Sequence, residues 1–553
     1  MNAVPAHALD MTKPLLRNIA DMSWDQAVAM GAKYVSQEEN LTIQSISTDG
    51  LTITLTAPLQ FDHLGARDAQ GALGFLPQAM NDSRNIMVES QSFTGTRGYT
   101  LFTGRADVDV EYAGFCELGR TRNAAADNTA FNSAGSVSHL GTNEDDRYAM
   151  TLLDLIGPAT PQGNGYQFTL VGNAVDNDGD GNPANPSNVQ WGVALNNSYY
   201  GLVQANDVYA VAGVGIGVED GSSSYNRFDG NFVVDVTGTG QRLDQQLQGD
   251  GFWFRNPDNY VTNNIASDID AGGGDFYSYG LSVDARYVGT VTVAAYPGAD
   301  PSQPGQSKQV DMNATPLLQF SGNEVYGATA KGVTVWWLGT IFETPDGTAG
   351  AGTIANTVVW HQNDAAYFAY ETNNLTISNF VVRGDQGEEL NDPYAHDAGI
   401  YLGDYMTRGM VVTNVDVQNE ETGLYVPTHV GRNMSAGVFT VQNSYFDNID
   451  NIDVPFLFST NGAQGLSARD VVIQNVRFAH PAGVSGGVTP VDSVVMDTSE
   501  PWGPTGVNTT SPTSVQVTAF NGVSGDNFQV YYDGKQPSGA TKRSDVLGWV
   551  LAD

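Results

Sequence analysis

The chain has 553 residues, with 61 acidic against 24 basic side chains and a formal net charge of −37. A field of that sign repels nucleic acid and anionic membrane surfaces, and a single cysteine, Cys116, excludes a disulfide scaffold. Hydrophobic residues make up 41% of the chain and charged ones 15%, and no apolar run approaches the roughly 20 residues that span a bilayer. The composition is that of a folded, acidic protein without membrane insertion.

In chain order, residues 14–34 hold the one helical pattern. Ser23 and Gln26 read as a capping box, Trp24, Ala27 and Val28 give a short apolar face, and Gly31 stands where the helix should end. Residues 1–45 are therefore expected to form an N-terminal cap segment with a short helix. Met1 to Asp10 lack the basic and apolar pattern of a secretion signal, so no signal peptide is visible.

From Leu41 the grammar changes to short runs of alternating β-branched and aromatic residues cut by Gly, Asn and Asp turns, as in LTIQSIS, LTITLTA and YQFTLVGNAV. A strand ending in Asn and continuing into a second strand recurs as LTISNFVV, VVTNVDV, FTVQNSYF and VVIQNVRF, with the asparagines at Asn379, Asn414, Asn443 and Asn475. A looser version is centred on Asn206, Asn231, Asn264 and Asn323. One such coil cannot bury its apolar face alone, whereas stacked coils share a continuous core, and stacked Asn side chains can bond along the axis. The predicted fold is all-β: a right-handed parallel β-helix over residues 46–483. A Pro/Gly/Ser/Thr-rich linker follows at 484–512, and a small β C-terminal cap at 513–553.

Three groups of residues could carry chemistry. In ADVDVEY the alternation puts Asp107, Asp109 and Glu111 on one face with neighbours roughly 6.5 to 7 Å apart. Beside Arg105, the pair Asp107 and Asp109 is a candidate acid and base for a glycosidic bond, or a calcium-assisted site for a uronate sugar. VDNDGDGNP supplies Asp176, Asp178 and Asp180 ahead of Gly181, the opening of a calcium loop, although Ser187 stands at the twelfth position where a complete loop has Glu. Trp191, Tyr199, Tyr200, Trp253, Trp336, Trp337, Trp360 and His361 are candidate carbohydrate-binding rings, since flat rings with a polar edge suit sugar faces as well as core stacking. No two of the seven histidines lie within four residues of each other, so a metal site of local His pairs is not signalled.

RNIMVES, TGTRGYTLFTGRADVDVEYAGFCELGRTR, HLGTNEDDRYAM, WGVALNNSYYGL, GIGVEDGSSSYNRFDGNFVV and GFWFRNPDNYVTNNIA, in order over residues 41–390, resemble the bacterial β-helix proteins related to the cell-migration-inducing hyaluronan-binding protein and the transmembrane hyaluronidase. The resemblance implies an extracellular or cell-surface protein whose partner is an acidic polysaccharide or related glycan. It also shows departures. The family's His-Phe-His run after Arg-Tyr is replaced by Ala149 to Leu153 after Arg147 and Tyr148, further histidines by Asn196 and Tyr199, and those after Trp-His by Gln362 and Asn363. Imidazole is the side chain best poised to move protons near neutral pH. Its loss at three places leads to the expectation of a catalytically degenerate relative with a structural or polysaccharide-binding role and a capacity for self-association. The competing expectation is an active calcium-assisted depolymerase, hydrolase or lyase, working through Asp107 and Asp109.

Overall fold

The computed structural model describes residues 39–177 apart from 62, 93–95, 122–126 and 145, and 191–384 apart from 239–248, 271–278, 329–330, 340–350 and 363. It also describes 2–3, 398–402, 409–426 without 421, 438–453 without 449, 470–479, and the strands Val494–Val495, Ser514–Thr518, Val530–Tyr531 and Val550–Ala552. The helix expected within 14–34 and the linker at 484–512, apart from Val494–Val495, lie outside the described residues, among which there is no α-helix.

The fold is a right-handed parallel β-helix. Three parallel sheets of 13, 13 and 12 strands run its length. Each coil contributes a strand to the first sheet, which begins at Thr100–Gly104, then to the second, from Val108–Glu111, and to the third, which begins at Ile86–Glu89. Within a coil, residues alternate between core and exterior. The inward columns are apolar: Val193, Ile216, Phe252 and Leu281 in the first sheet, Val203, Phe228, Val261 and Phe320 in the second, and Val208, Val233, Ala266 and Val325 in the third, all buried.

The corner between the second and third sheets is the most regular part of the coil. Tyr112, Gly172, Ala205, Gly230, Asn263, Gly322, Asn356, Asn379, Asn414, Asn443 and Asn475 hold the same place, with φ between 51 and 75°. From Tyr112 to Asn443 each sends its N–H to a carbonyl of the next coil, as Asn379 does to Thr413 at 3.1 Å. The following residue points inward. Asn173, Asn206, Asn231, Asn264 and Asn323 form a buried ladder there, in which the Nδ2 of Asn206 donates to Asn231 Oδ1 at 2.9 Å and to the Leu170 carbonyl at 3.0 Å. Thr357, Phe380, Val415, Ser444 and Val476 continue that column. The two asparagine series seen in the sequence are thus one residue out of phase: the first is the buried ladder, the second the left-handed corner itself, exposed to solvent.

Close packing shows again in a column of glycines in the first sheet, Gly192, Gly215, Gly251, Gly280 and Gly332. A Cβ on Gly215 would stand 2.2 Å from Val233 and 2.6 Å from the Gly251 carbonyl, so no larger residue fits between neighbouring coils there.

Residues 46–84 lie outside the coil. From Gln70, whose Nε2 donates to Asp447 Oδ2 at 3.0 Å, the chain crosses the outer face of the third sheet along the axis, against the order of the coils. It buries Ala66 and packs Phe75 on Tyr326 and Trp360, bonds Gln78 to Glu324 at 2.9 Å, packs Met80 on Tyr209, Phe232 and Val234, and ends with Arg84 paired to Asp207 at 3.0 Å. At the other end, Ser514–Thr518 and Val550–Ala552 extend the second sheet in parallel, and Val494–Val495 and Val530–Tyr531 extend the first.

The two asparagine series should respond differently to substitution. Asn231→Ala strands buried partners at Asn206, Val203 and Asn264, and should cost about 3 kcal/mol or more in chemical denaturation, at roughly 1–3 kcal/mol per unsatisfied buried group. Asn379→Gly keeps the positive φ and loses one exposed bond to Asn356, and should stay within about 1 kcal/mol of the parent.

Candidate functional site

The strand Val108–Glu111 has the expected alternation, with Val108 buried and Asp107, Asp109 and Glu111 exposed. Its neighbour in the sheet places Thr169 beside Asp109 and Val171 beside Glu111, so the carboxylate row does not continue along the axis. Asp107 accepts from Gln162 Nε2 at 2.8 Å. Arg105 is engaged elsewhere: it donates to the Gly298 carbonyl at 2.8 Å and lies 4.0 Å from Asp300. Both belong to the turn of an antiparallel hairpin, Thr290–Ala294 with Ser307–Asp311, that folds back across the coils. The structure gives Arg105 a latch position for this hairpin.

The aromatic candidates separate by sheet. Trp191 and Trp253 are fully buried on the outer side of the first sheet, with Tyr148 stacked on Trp191 at 4.8 Å and Trp253 edge-on to it at 5.6 Å. Trp336 is buried further along, under the Arg286 guanidinium at 4.2 Å. Trp360 is stacked on Tyr326 at 4.2 Å beneath the N-terminal segment, donating to Glu324 at 2.7 Å, with His361 edge-on to it. Tyr199 is buried and bonded to Asn197 and to the Thr292 carbonyl of the hairpin. Tyr200, stacked on Tyr225 at 4.9 Å, and Trp337, packed against the exposed Tyr287, are half-buried. Of the eight candidates, Trp191, Tyr199, Trp253 and Trp360 offer no ring to solvent. Asp176 closes the strand Ala174–Asp176, and Asp178 and Asp180 lie outside the described residues.

A different set of groups converges on Glu219. Asn196, Glu219, Arg255, Asp284 and Trp336 hold the same place at the ends of successive first-sheet strands. The Tyr148 hydroxyl donates to Glu219 Oε1 at 3.3 Å and Asn196 Nδ2 to Oε2 at 3.5 Å. Burial pushes the Glu219 carboxyl up to about 7, and the charges of Asp146 and Asp220 push the same way. Next to it, Asp220 accepts the N–H groups of Asn197, Ser222 and Ser223 at 3.0, 3.1 and 3.3 Å, together with the hydroxyls of Ser222 and Ser223. Such a pair can hold a proton on one carboxyl near neutral pH beside a fixed acceptor, which is what general acid and base chemistry requires. One position where imidazole is missing, Asn196 of the Trp-Gly strand, thus meets this carboxyl beside Tyr148, the retained tyrosine of the Arg-Tyr pair. Another, Gln362, bonds Glu420 at 2.7 Å several coils away. Glu219 was missed in the sequence because its environment comes from strands more than 20 residues apart. The segment GIGVEDGSSSYN that contains it was the available signal.

Further carboxyls are buried elsewhere in the solenoid, Asp250 and Asp284 of them on the first sheet. Asp250 is 1% exposed, its Oδ1 accepting the Tyr279 N–H at 3.0 Å, and burial raises it well above the ordinary carboxylate range. Burial likewise raises Asp284 and Asp258, and carries Asp207 to about 6 against the opposing Arg84. Each of these groups holds its proton more tightly in the folded state. Their stabilisation is present below the ordinary carboxylate range and is lost as pH rises through their raised values, which for Asp207 and Glu219 lie at about 6 and about 7. Glu39 has the opposite sign: burial is outweighed by hydrogen bonds from Gln60, His63 and Phe61, so its contribution is lost only in acid. The melting temperature should therefore rise as pH is lowered from about 8 to about 5.5 before falling in stronger acid, a profile that thermal unfolding at constant ionic strength will show.

No family model matches the chain. Among curated proteins, human fibrocystin-L (Homo sapiens) is 22% identical over 503 residues and mouse fibrocystin-L (Mus musculus) 22% over 453, covering 84% and 75% of this chain. The chain spans about a tenth of the length of these relatives. Among solved structures, two variants of the catalytic domain of a GH87 alpha-1,3-glucanase in complex with nigerose align at TM-scores of 0.34 and 0.33 with 13% and 14% identity, over 74% and 77% of this chain and 69% and 70% of theirs. Among the described residues no helix is long and apolar enough to cross a membrane, and no group of three or more His, Cys, Asp or Glu side chains could hold a metal ion.

Proposed function

We propose that this β-helix is an extracellular, carbohydrate-active protein that cleaves a polysaccharide, with Glu219 as general acid at the end of a first-sheet strand. The observation that carries the reading is the meeting of Glu219 with Tyr148, Asn196 and the anchored Asp220 beside the Trp191 and Trp253 rings. In this reading Glu219 gives its proton to the glycosidic oxygen as the bond to the anomeric carbon breaks, and Asp146 or Asp220 takes a proton from the attacking water. Tyr148 and Asn196 hold the carboxyl in place. The assignment moves the chemistry from Asp107 and Asp109 to a carboxyl whose surroundings favour proton storage.

The hyaluronidase-type resemblance supports the same location, since its Arg147-Tyr148 and Trp191-Gly192 segments flank Glu219. It also supports a second reading. With Asn196 in place of imidazole, the site binds glycan without cutting it, and the protein serves as a structural or self-associating scaffold. Glu219→Gln separates the two. Reducing-end release from a panel of hyaluronan, chondroitin, alginate and neutral glucans should fall at least about 100-fold with an unchanged melting temperature, and the parent rate should decline as pH rises through about 7. No release by the parent from any glycan leaves the scaffold reading standing.

A structural calcium ion held by Asp176, Asp178 and Asp180 is part of the proposal and takes no proton-transfer role. Calcium should raise the melting temperature of the parent, and Asp178→Asn with Asp180→Asn should remove that gain. Equal melting temperatures in calcium and in chelator would discard the ion.

A further inference from the structure

The three outer faces of the solenoid differ. Outward side chains of the first sheet, Trp253, Ser282, Thr334 and Phe368, are buried. The third-sheet face is crossed by the N-terminal segment. Among the described residues, none crosses the second-sheet face over the five coils from Thr353 to Asn475. Its outward positions form three columns: Thr353, Thr376, Val411, Thr440 and Val472; Ala355, Ser378, Thr413, Gln442 and Gln474; and the corner asparagines 356, 379, 414, 443 and 475. All of these side chains are exposed or half-buried and none is charged; Asp470, which opens the strand Asp470–Gln474, precedes the three columns. In a chain of net charge −37 this is a selective exclusion, because in the same coils the third sheet carries Arg383, Asp416 and Asp447.

We propose that this face binds an uncharged, extended polysaccharide lying along the solenoid axis. Amides and hydroxyls supply both donors and acceptors, which suits a polyhydroxyl chain, and drying an uncharged face avoids the large cost of desolvating ions. The hydroxyls of Thr353, Thr376, Ser378, Thr413 and Thr440 make no hydrogen bond among the described residues and face a ligand. The surface is already ordered: Asn379 donates to Asn356 at 3.0 Å and Asn475 to Asn443 at 2.8 Å, so little side-chain freedom is lost on binding. Coils repeat every 4.7–4.9 Å or about that, close to the length of one sugar in an extended chain, so successive rungs meet successive sugars in similar register. A second copy of this chain fits less well, because two bodies of charge −37 repel, and an anionic polymer finds no cation in the three columns. The proposal concerns a different face from Glu219 and does not depend on cleavage there.

Co-sedimentation with cellulose, chitin, β-1,3-glucan and α-1,3-glucan, with soluble alginate in affinity electrophoresis as the anionic control, tests it. The parent should bind at least one neutral glycan, and Thr376→Glu with Thr413→Glu should weaken that binding at least about tenfold, while Thr376→Ser with Thr413→Ser and Glu219→Gln retain it. Should the charged pair misfold by thermal melt, Asn414→Asp with Asn443→Asp carries the same test at corners that tolerate the change. Unchanged binding by the charged variants, binding of alginate alone, or no binding to any neutral glycan overturns the proposal. So does a dimer in solution that the charged pair dissolves while glycan binding is unaffected.

Discussion

Everything in this molecule depends on one backbone contact repeated along the axis: the N–H of a left-handed corner residue reaching a carbonyl of the next coil. Because the corner residue has positive φ, the chain turns from the second sheet to the third in two residues. Because its N–H is spent on the neighbouring coil, the axial register is fixed at every turn. All side-chain columns, inside and outside, inherit that register. The residue after the corner is then forced inward, where its polarity must be satisfied. In the first half of the solenoid Asn does this by bonding to the coil on either side. In the second half Phe380, Val415 and Val476 fill the same space as apolar plugs, which shows that the corner geometry, and not the ladder, is the invariant.

That distinction explains what the sequence could reveal. The coil, its approximate period and its asparagine corners are local features and were readable from strand and turn chemistry. The phase of the two asparagine series was not, because Asn suits both a left-handed corner and a buried hydrogen-bonding position. The strand alternation at Val108 to Glu111 was legible for the same local reason. The fate of the aromatic residues was not, since it depends on which outer face is covered. Trp360 lies under a segment whose anchor, Gln70 to Asp447, joins residues 377 apart. Arg105 reads as a neighbour of Asp107 and Asp109 in the sequence and is drawn to a hairpin turn 193 residues away.

The acidity of the chain also takes on a different meaning once the buried carboxyls are counted apart from the surface ones. A strongly negative body destabilises its compact state by self-repulsion. Placing Asp250 and Asp284 where burial favours their protonated forms removes charge from that balance. Glu219 sits at the boundary, partly exposed and with carboxylates on both sides. A small change in its surroundings, such as a bound sugar excluding water, shifts its proton affinity further upward.

The division of labour among faces follows from where the chain has room to vary. The corner from second to third sheet has two residues, as Asn379 and Phe380 between Ser378 and Val381, and an insertion there would break the axial contact. The connections from third to first sheet are free of that constraint and vary widely in length, from Gly213 alone between Ala212 and Val214 to residues 384–397 between Arg383 and Ala398. Sequence elaboration therefore accumulates at the margins of the first sheet, where carboxyls and aromatic rings collect around Glu219. The second sheet, bounded on one side by a corner that tolerates nothing extra, keeps its 13 strands in one parallel ladder. A solenoid built on this corner has one face suited to chemistry and another suited to holding a long, uncharged chain, because the same backbone constraint that forbids insertions on one side leaves the other free to accept them.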